Sequence, residues 1–177
     1  SSADFIVILG GRRPGDYARK INAGINHAKS EWVFTGADDL RFHFGWADEA
    51  IRVARQTGSL VVGTNDLGNP SVIRGRHSTH SLVHRDYVRE GTIDGCFGLL
   101  YEGYDHNWVD EEFVATAKFR GVYAHAGAAL VEHLHPSWHK ADPDSTYELG
   151  MVDWQRDRAL FSRRRALWSH GRVRAGR

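Results

Sequence analysis

Short apolar segments alternate with helical patterns along most of this chain, and this alternation restricts its fold more than any other feature. Three segments have the length and apolar content of buried strands, at residues 5–9, 32–35 and 60–62. Between them, apolar residues recur every three to four positions, the spacing of an amphipathic helix. Strands that alternate with helices predict an α/β fold, with a sheet flanked by helices.

The middle of the chain is predicted to contain a long loop. Residues 91–107 are rich in Gly, Tyr and Asp and show little periodicity, which is typical of a functional loop. A helix is predicted to begin near Val109. Two further strands are predicted at residues 122–126 and 129–133.

The C-terminal part differs from the rest in pattern and charge. Apolar residues at four- and seven-residue intervals predict a long amphipathic helix there. Residues 153–177 hold eight Arg and two Asp, a net charge of +6 in a chain of net charge +1, so the rest is acidic. We therefore divide the chain into a main domain, residues 1–142, and a C-terminal helix with a basic tail, residues 143–177. An acidic body suits a cation site, and a basic tail suits an acidic partner.

Two features of the sequence bear on its compartment. No apolar stretch reaches the roughly 18 residues that span a bilayer, so no membrane span is predicted. Cys96 is the only cysteine and cannot form an internal disulfide, which predicts a cytoplasmic protein.

Two adjacent acids, Asp38 and Asp39, follow the apolar segment at residues 32–35. Ligands of α/β sheets bind at the carboxyl ends of the strands, where these acids are expected. Mg²⁺ and Mn²⁺ prefer carboxylate oxygens together with phosphate oxygens. The pair therefore predicts a metal site facing a diphosphate; a solvated turn before the next helix is the alternative.

Three acids follow Trp108 at the expected start of a helix, namely Asp110, Glu111 and Glu112. A carboxylate in that position can act as a general base that removes the proton of an attacking hydroxyl. The alternative is structural, because acids at a helix N-terminus are stabilised by the helix dipole.

His133 and His135 lie at the end of a predicted strand, where alternate residues share a face and Glu132 points away. Imidazole nitrogen is a common metal ligand, so the two histidines are candidate ligands. Surface histidines without a ligand are the alternative.

The order of these motifs resembles the GT-A glycosyltransferases of the family-two type. Residues 17–25 look like the family's Ala-Arg-Asn-x-Gly helix, and residues 32–39 look like its next strand and Asp-rich motif. The acids after Trp108 are similar to its catalytic acidic motif, and His133 to its late metal-binding histidine. Residues 132–138 also resemble glycosyltransferase-like proteins of actinobacterial phages.

Two departures from the family pattern shape what we expect. Gly36 replaces the first Asp of the family's Asp-x-Asp motif, which helps to hold the ribose, whereas Asp38 matches the second, which touches the metal. The chain also begins at what looks like the family's third strand. The first nucleotide-binding βαβ unit is therefore expected to be missing, to lie upstream, or to come from a second subunit.

The resemblance implies a GT-A-like mixed sheet and transfer of a sugar from a nucleotide-diphosphate donor to an acceptor hydroxyl. Asp38, together with Asp39 and His133, would hold Mn²⁺ or Mg²⁺ on the donor's diphosphate. Arg19 and Asn22 would lie near the donor.

The resemblance also implies residues on the acceptor side. Asp110, which we prefer to Glu111, would take the acceptor's proton, while Tyr101, Tyr104 and Trp108 would stack on sugar faces. The acceptor stays open between a protein, a glycan, a lipid head group and a modified DNA base. A related metal-dependent nucleotidyltransferase or hydrolase, or a non-catalytic binding module of the same fold, are the alternatives.

Overall fold

A computed structural model describes residue 4 and residues 6–9, 15–142 and 154–170. Five strands form one sheet in the order β1-β4-β3-β5-β2. Only β3 and β5 run parallel, and the other three neighbouring pairs are antiparallel. The strands are β1 (Trp32–Phe34), β2 (Leu40–Phe42), β3 (Val61–Asn65), β4 (Ser81–His84) and β5 (Tyr123–His133). The predicted α/β fold with a mixed, helix-flanked sheet is confirmed.

Seven α-helices accompany the sheet in the described part of the chain. They are α1 (Asp16–His27), α2 (Trp46–Thr57), α3 (Pro70–Ile73), α4 (Arg85–Val88), α5 (Val109–Phe119), α6 (Trp154–Arg164) and α7 (Ala166–His170). A 3₁₀ helix covers Pro136–Trp138. Helix α2 ends as predicted at Gly58, which takes a left-handed φ of 69° that glycine adopts without strain. The predicted C-terminal helix corresponds to α6 and α7. Two of the apolar residues whose spacing predicts it, Tyr147 and Met151, lie outside the described residues.

The core lies on both faces of the sheet, because successive strand residues point to opposite sides. Val61 and Val83 pack with α1, α5 and the apolar face of α6. Their neighbours Val62 and Leu82 pack with the alanines of α2 on the other face. The two neighbouring central strands β3 and β4 therefore anchor both layers of helices.

The predicted strand at residues 5–9 is wrong for the residues described there. Residues 6–9 form no strand, and Ile6, Val7 and Leu9 are 47%, 74% and 88% exposed. Apolar content alone gave the prediction, but a strand also needs a partner that satisfies its backbone, and none of the five strands pairs with this segment.

Helix α6 is joined to the loop before α5 through buried charges. The carboxylate of Asp157, which is fully buried, accepts the backbone N–H groups of residues 105–107 at 2.8 to 2.9 Å. Farther along the helix, Arg164 donates to Glu112 of α5 at 2.6 and 2.8 Å. These contacts fix the long loop against α5, whose N-terminus carries the predicted catalytic acids.

Candidate functional site

Strand pairing brings Asp39 and His133 together although they lie 94 residues apart. In the antiparallel pair of β2 and β5, Leu40 lies opposite His133, and the amide of Leu134 donates to the carbonyl of Asp39 at 2.9 Å. This register places Nε2 of His133 2.9 Å from Oδ2 of Asp39. Two of the predicted metal ligands therefore form a close pair at this end of the sheet.

The other two predicted metal ligands lie differently. Asp38 is exposed in the turn before β2. The ring centroid of His135 lies 5.0 Å from that of His133, and its Nδ1 accepts the amide of Ser137 at 3.1 Å as the cap of the 3₁₀ helix. Burial and the neighbouring His133 lower the pKa of His135. Of the two adjacent acids, only Asp39 contacts His133.

His80, in the segment that enters β4, lies beside the Asp39–His133 pair. It is 4% exposed, and its ring centroid is 5.1 Å from that of His133. Its Nδ1 lies 2.7 Å from the carbonyl of Thr35, an acceptor, so Nδ1 carries the hydrogen and Nε2 carries the lone pair. Nε2 is buried and has no hydrogen-bond partner among the described residues. Such an atom is rare in a folded protein and is suited to accept a ligand.

A second cluster lies at the start of α5. Nε2 of His77 is 3.0 Å from Oδ2 of Asp110 and 4.0 Å from Oε1 of Glu111. Within the described ranges, this is the one group of three His, Cys, Asp or Glu residues whose ligand atoms all lie within 4.8 Å of one another. The arrangement can hold a metal ion or a shared proton.

The two acids of this cluster do not ionise together. Burial alone would raise the pKa of Asp110, but hydrogen bonds to Glu111 and His77 outweigh burial and hold this pKa well below its usual range. Burial and the charge of Asp110 raise the pKa of Glu111. At neutral pH, Asp110 is therefore the carboxylate and Glu111 carries the shared proton.

Tyr17 and His80 connect the two clusters. Both bind the carbonyl of Thr35, the hydroxyl of Tyr17 at 3.4 Å and Nδ1 of His80 at 2.7 Å. Burial raises the pKa of Tyr17, and the charges of Asp110 and Asp39 raise it further. Burial lowers the pKa of His80 to about 4, although the charges of Asp39 and Asp110 act to raise it. The charges of Asp39 and Asp110 therefore act on the same two side chains.

An open cleft of about 340 Å³ adjoins the second cluster. That volume is within the range of small-ligand sites. Its walls combine two cations, three polar side chains, one carboxyl group and an apolar surface from α5 and α6. The lining residues are Asn69, Ser71, Arg76, His77, Glu111, Val114, Ala115, Lys118 and Phe161.

The structure gives the predicted donor-side residues of α1 a different environment. The side chain of Asn22 is buried and accepts the amides of Leu99 and Leu100 at 2.9 and 3.0 Å. Its amide nitrogen donates to Glu102 at 2.9 Å, and Arg19 lies 3.6 Å from the same carboxylate. Asn22 thus holds the long loop in place, and these hydrogen bonds explain its burial without any contact to a nucleotide sugar.

The predicted acceptor-side aromatics also pack within the protein. Tyr104 is 1% exposed and donates to Glu112 at 2.7 Å. The guanidinium of Arg164 covers the ring of Tyr101 at 3.4 Å. Trp108 stacks against Trp154 and Phe161 of α6. Tyr104 therefore has no accessible face, and Tyr101 and Trp108 pack against the C-terminal helix. The stacking role of the three rings stays a prediction.

His77 and His80 are the site residues that the sequence did not single out. Neither belongs to a spaced motif, and each becomes notable only through a contact with a distant residue, His77 with Asp110 and His80 with Thr35. Loose alternation around β4 indicates a strand but not which of its histidines is functional.

No protein-family model, curated protein or solved structure matches this chain. None of the helices in the described ranges has the length and apolar character needed to span a bilayer.

Proposed function

We propose that the protein is a divalent-metal-dependent glycosyltransferase, which moves a sugar from a nucleotide-diphosphate donor to an acceptor hydroxyl. One observation carries the proposal: Asp39 and His133, both expected at the metal, lie 2.9 Å apart across 94 residues. Asp110, the acid expected to act as base, shares the neighbours Tyr17 and His80 with this pair. The charges of Asp39 and Asp110, which the resemblance assigns to one reaction, thus act on common side chains.

The atoms around Asp39 fit a cation with mixed oxygen and nitrogen ligands. Two ligands at right angles, each about 2.1 Å from an ion, are roughly 3 Å apart. Oδ2 of Asp39 and Nε2 of His133 are separated by 2.9 Å. Imidazole suits Mn²⁺ better than Mg²⁺, so Mn²⁺ is the ion we assign. Bound there, it would neutralise the charge that develops on the leaving diphosphate.

The His77–Asp110 pair is the general base of this proposal. A carboxylate with a depressed pKa is a weak base at neutral pH, and Asp110 alone would accept a proton poorly. Held 3.0 Å from this carboxylate, the imidazole of His77 is oriented by it. The pair can therefore take the proton of an acceptor hydroxyl.

Thermal unfolding in the presence of nucleotide sugars tests the function. A ligand at about 100 times its Kd adds roughly 2.7 kcal/mol of stability. For a domain of this size, that is a rise of roughly 5–10 °C in Tm. We expect this rise with one nucleotide sugar and only when Mn²⁺ is present. A Tm that no nucleotide sugar changes, with or without Mn²⁺, would contradict the proposal.

Asp38 and Asp39 offer a matched pair of variants for the metal site. Asp39→Asn should abolish the Mn²⁺-dependent rise in Tm, because it removes the carboxylate that contacts His133. Asp38→Asn should keep most of the rise, because the exposed side chain lies away from that contact. If Asp38→Asn loses the response and Asp39→Asn keeps it, the ion is held as the family motif implies, and our assignment to Asp39 is wrong.

A metal-dependent nucleotidyltransferase or hydrolase is the second candidate, favoured by the cluster of His77, Asp110 and Glu111. A cation held by this cluster could polarise a phosphoryl group or activate a water for its attack. Counting bound Mn²⁺ by equilibrium dialysis separates the candidates. One ion per chain, lost in Asp39→Asn, supports the glycosyltransferase, whereas a second ion lost in Glu111→Gln supports the alternative.

A further inference from the structure

We propose that the cleft beside His77 is the acceptor site and that its ligand is a carbohydrate bearing a negative charge, such as a sugar phosphate or a uronic acid. This inference rests on the proposed function and names the class of acceptor. It is carried by the position of the cleft and by the charge and shape of its walls.

The position of the cleft links it to the expected chemistry. His77 and Glu111 line it, and His77 is bonded to Asp110 at 3.0 Å. A ligand in the cleft therefore meets the imidazole of the base pair. The charges of Asp110 and Asp39 both act on Tyr17 and His80. Transfer requires the acceptor hydroxyl to contact the anomeric carbon of the donor while the base accepts its proton.

Two cations give the cleft its charge preference. Arg76 and Lys118 both line it, and both have exposed side chains. Nζ of Lys118 is held in place, because it donates to the carbonyl of Arg76 at 2.5 Å and lies 4.9 Å from the centre of the Tyr123 ring. A fixed ammonium beside a guanidinium favours a phosphate or carboxylate group on the ligand.

The remaining walls suit a sugar. Phe161 contributes an aromatic surface, and Asn69 and Ser71 contribute groups that form hydrogen bonds with hydroxyls. Phe161 thus takes the role expected for the aromatic loop, whose rings pack against the C-terminal helix instead.

The transfer step balances with these groups alone and the donor. The acceptor oxygen forms a bond to the anomeric carbon of the donor sugar while the bond from that carbon to the diphosphate breaks. The electron pair of that bond leaves with the nucleoside diphosphate. The proton of the hydroxyl passes to His77, which Asp110 holds in place at 3.0 Å.

Amide NMR spectra of the full chain, titrated with small sugars, test the inference. Glucose 6-phosphate and glucuronate at equal ionic strength should shift the amides of Ser71, Val114 and Ala115, whereas glucose should not. The two charged sugars separate phosphate from carboxylate recognition. Equal shifts with glucose, or shifts elsewhere only, would overturn the charge preference or the site.

Charge variants complete the test. Lys118→Met and Arg76→Gln should each weaken binding of the charged sugar about tenfold, and both replace exposed side chains that the fold does not need. Arg55→Gln, which removes an exposed arginine from α2 outside the cleft, should leave binding unchanged. Binding that is insensitive to both cleft variants would overturn the proposal.

Nucleoside diphosphates distinguish failure of this inference from failure of the function. If UDP or GDP, rather than the charged sugars, shifts the cleft amides, the cleft belongs to the donor and our acceptor assignment is wrong. If charged sugars bind in the cleft but no nucleotide sugar binds with Mn²⁺, the glycosyltransferase proposal fails and the site for charged sugars remains.

Discussion

The buried charges beneath the C-terminal helix and the polar groups around Asp39 differ in how completely they are hydrogen-bonded. Beneath α6, Arg164 donates to Glu112 twice and to Asp94 once. Nearby, Asp157 accepts three backbone N–H groups. Each charge there is satisfied by partners within the chain, so the arrangement holds elements together.

Around Asp39, bonding is incomplete or shared. Nε2 of His80 is buried without a hydrogen-bond partner among the described residues. Asp110 and Glu111 compete for one proton. Unsatisfied buried groups cost stability, and a fold retains them where a ligand supplies the missing partner. The contrast therefore distinguishes charges whose partners lie within the chain from groups that can still bind a ligand.

The largest loss of stability is expected from a substitution beneath α6, where the buried charges are most completely hydrogen-bonded. Arg164→Met should cost about 3–5 kcal/mol of unfolding free energy, because it leaves the carboxylate of Glu112 buried without its cation. The side chains of Arg164 and Glu112 are 10% and 4% exposed. Urea denaturation measures the loss.

Arg163→Met is the matched control for this variant. Arg163 is exposed on the same helix, so its replacement should change the unfolding free energy by no more than about 0.5 kcal/mol. Equal losses in the two variants would show that the helix contributes through its charge in general and not through the buried ion pair.

A pH-dependent loss of stability is expected from His80. Its pKa lies near 4 in the folded protein because of burial, and near 6.5 in the unfolded chain. Between these values the unfolded state binds a proton that the folded state does not. Stability should therefore be complete above pH 6.5 and fall by about 3 kcal/mol as the pH falls to 4.

Denaturation curves at several pH values, compared between variants, assign this loss. His80→Gln should remove most of the fall between pH 6.5 and 4, whatever its stability at pH 8. His27→Gln, which replaces an exposed histidine at the end of α1, should keep the fall. A fall that persists unchanged in His80→Gln would assign it to other groups.

The fold was predictable to the extent that it depends on local pattern. Helix α2 and its end at Gly58 follow from apolar spacing and a glycine that suits the left-handed cap. The strand at Val61–Asn65 follows from an apolar run bounded by glycine. Residues 6–9 have a similar apolar run but no partner, and a sequence does not reveal the partner.

The site was predictable only in part, because its contacts join distant segments. Asp39 and His133 were each expected at a metal, but their contact depends on the register of β2 against β5. The resemblance implies an acceptor role for the aromatic loop. Its partners, Arg164 and Asp157, come from a helix at least 50 residues later, and no local pattern indicates that they contact it.

Two acids within one turn of α5 represent the two regions compared above. Asp110 belongs to the candidate site, and Glu112 belongs to the buried charges beneath α6. Asp110→Asn should change the unfolding free energy by less than about 1 kcal/mol, because its side chain is 23% exposed. Glu112→Gln should cost about 2–3 kcal/mol, because its partner is the buried Arg164. Urea denaturation measures both losses.

In a transfer assay, Asp110→Asn should bind donor normally and lose turnover. Full turnover in this variant would mean that Asp110 has no part in the base.

The smallest change in stability is expected from Gly36→Asp, which restores the acid that the resemblance leads one to expect. A Cβ at this position would meet Phe34 and Leu40 at 3.6 and 3.9 Å, which are ordinary contacts. The unfolding free energy should therefore change by no more than about 0.5 kcal/mol.

If the site binds a nucleotide through its ribose, the new carboxylate should strengthen Mn²⁺-dependent binding of the nucleotide sugar several-fold in calorimetric titrations. Gly45→Asp is unsuitable as a control, because φ there is 75°, whereas Ala37→Asp adds the same charge one residue later. Tighter binding in Ala37→Asp as well would mean that added charge, and not its position at Gly36, attracts the metal and its nucleotide.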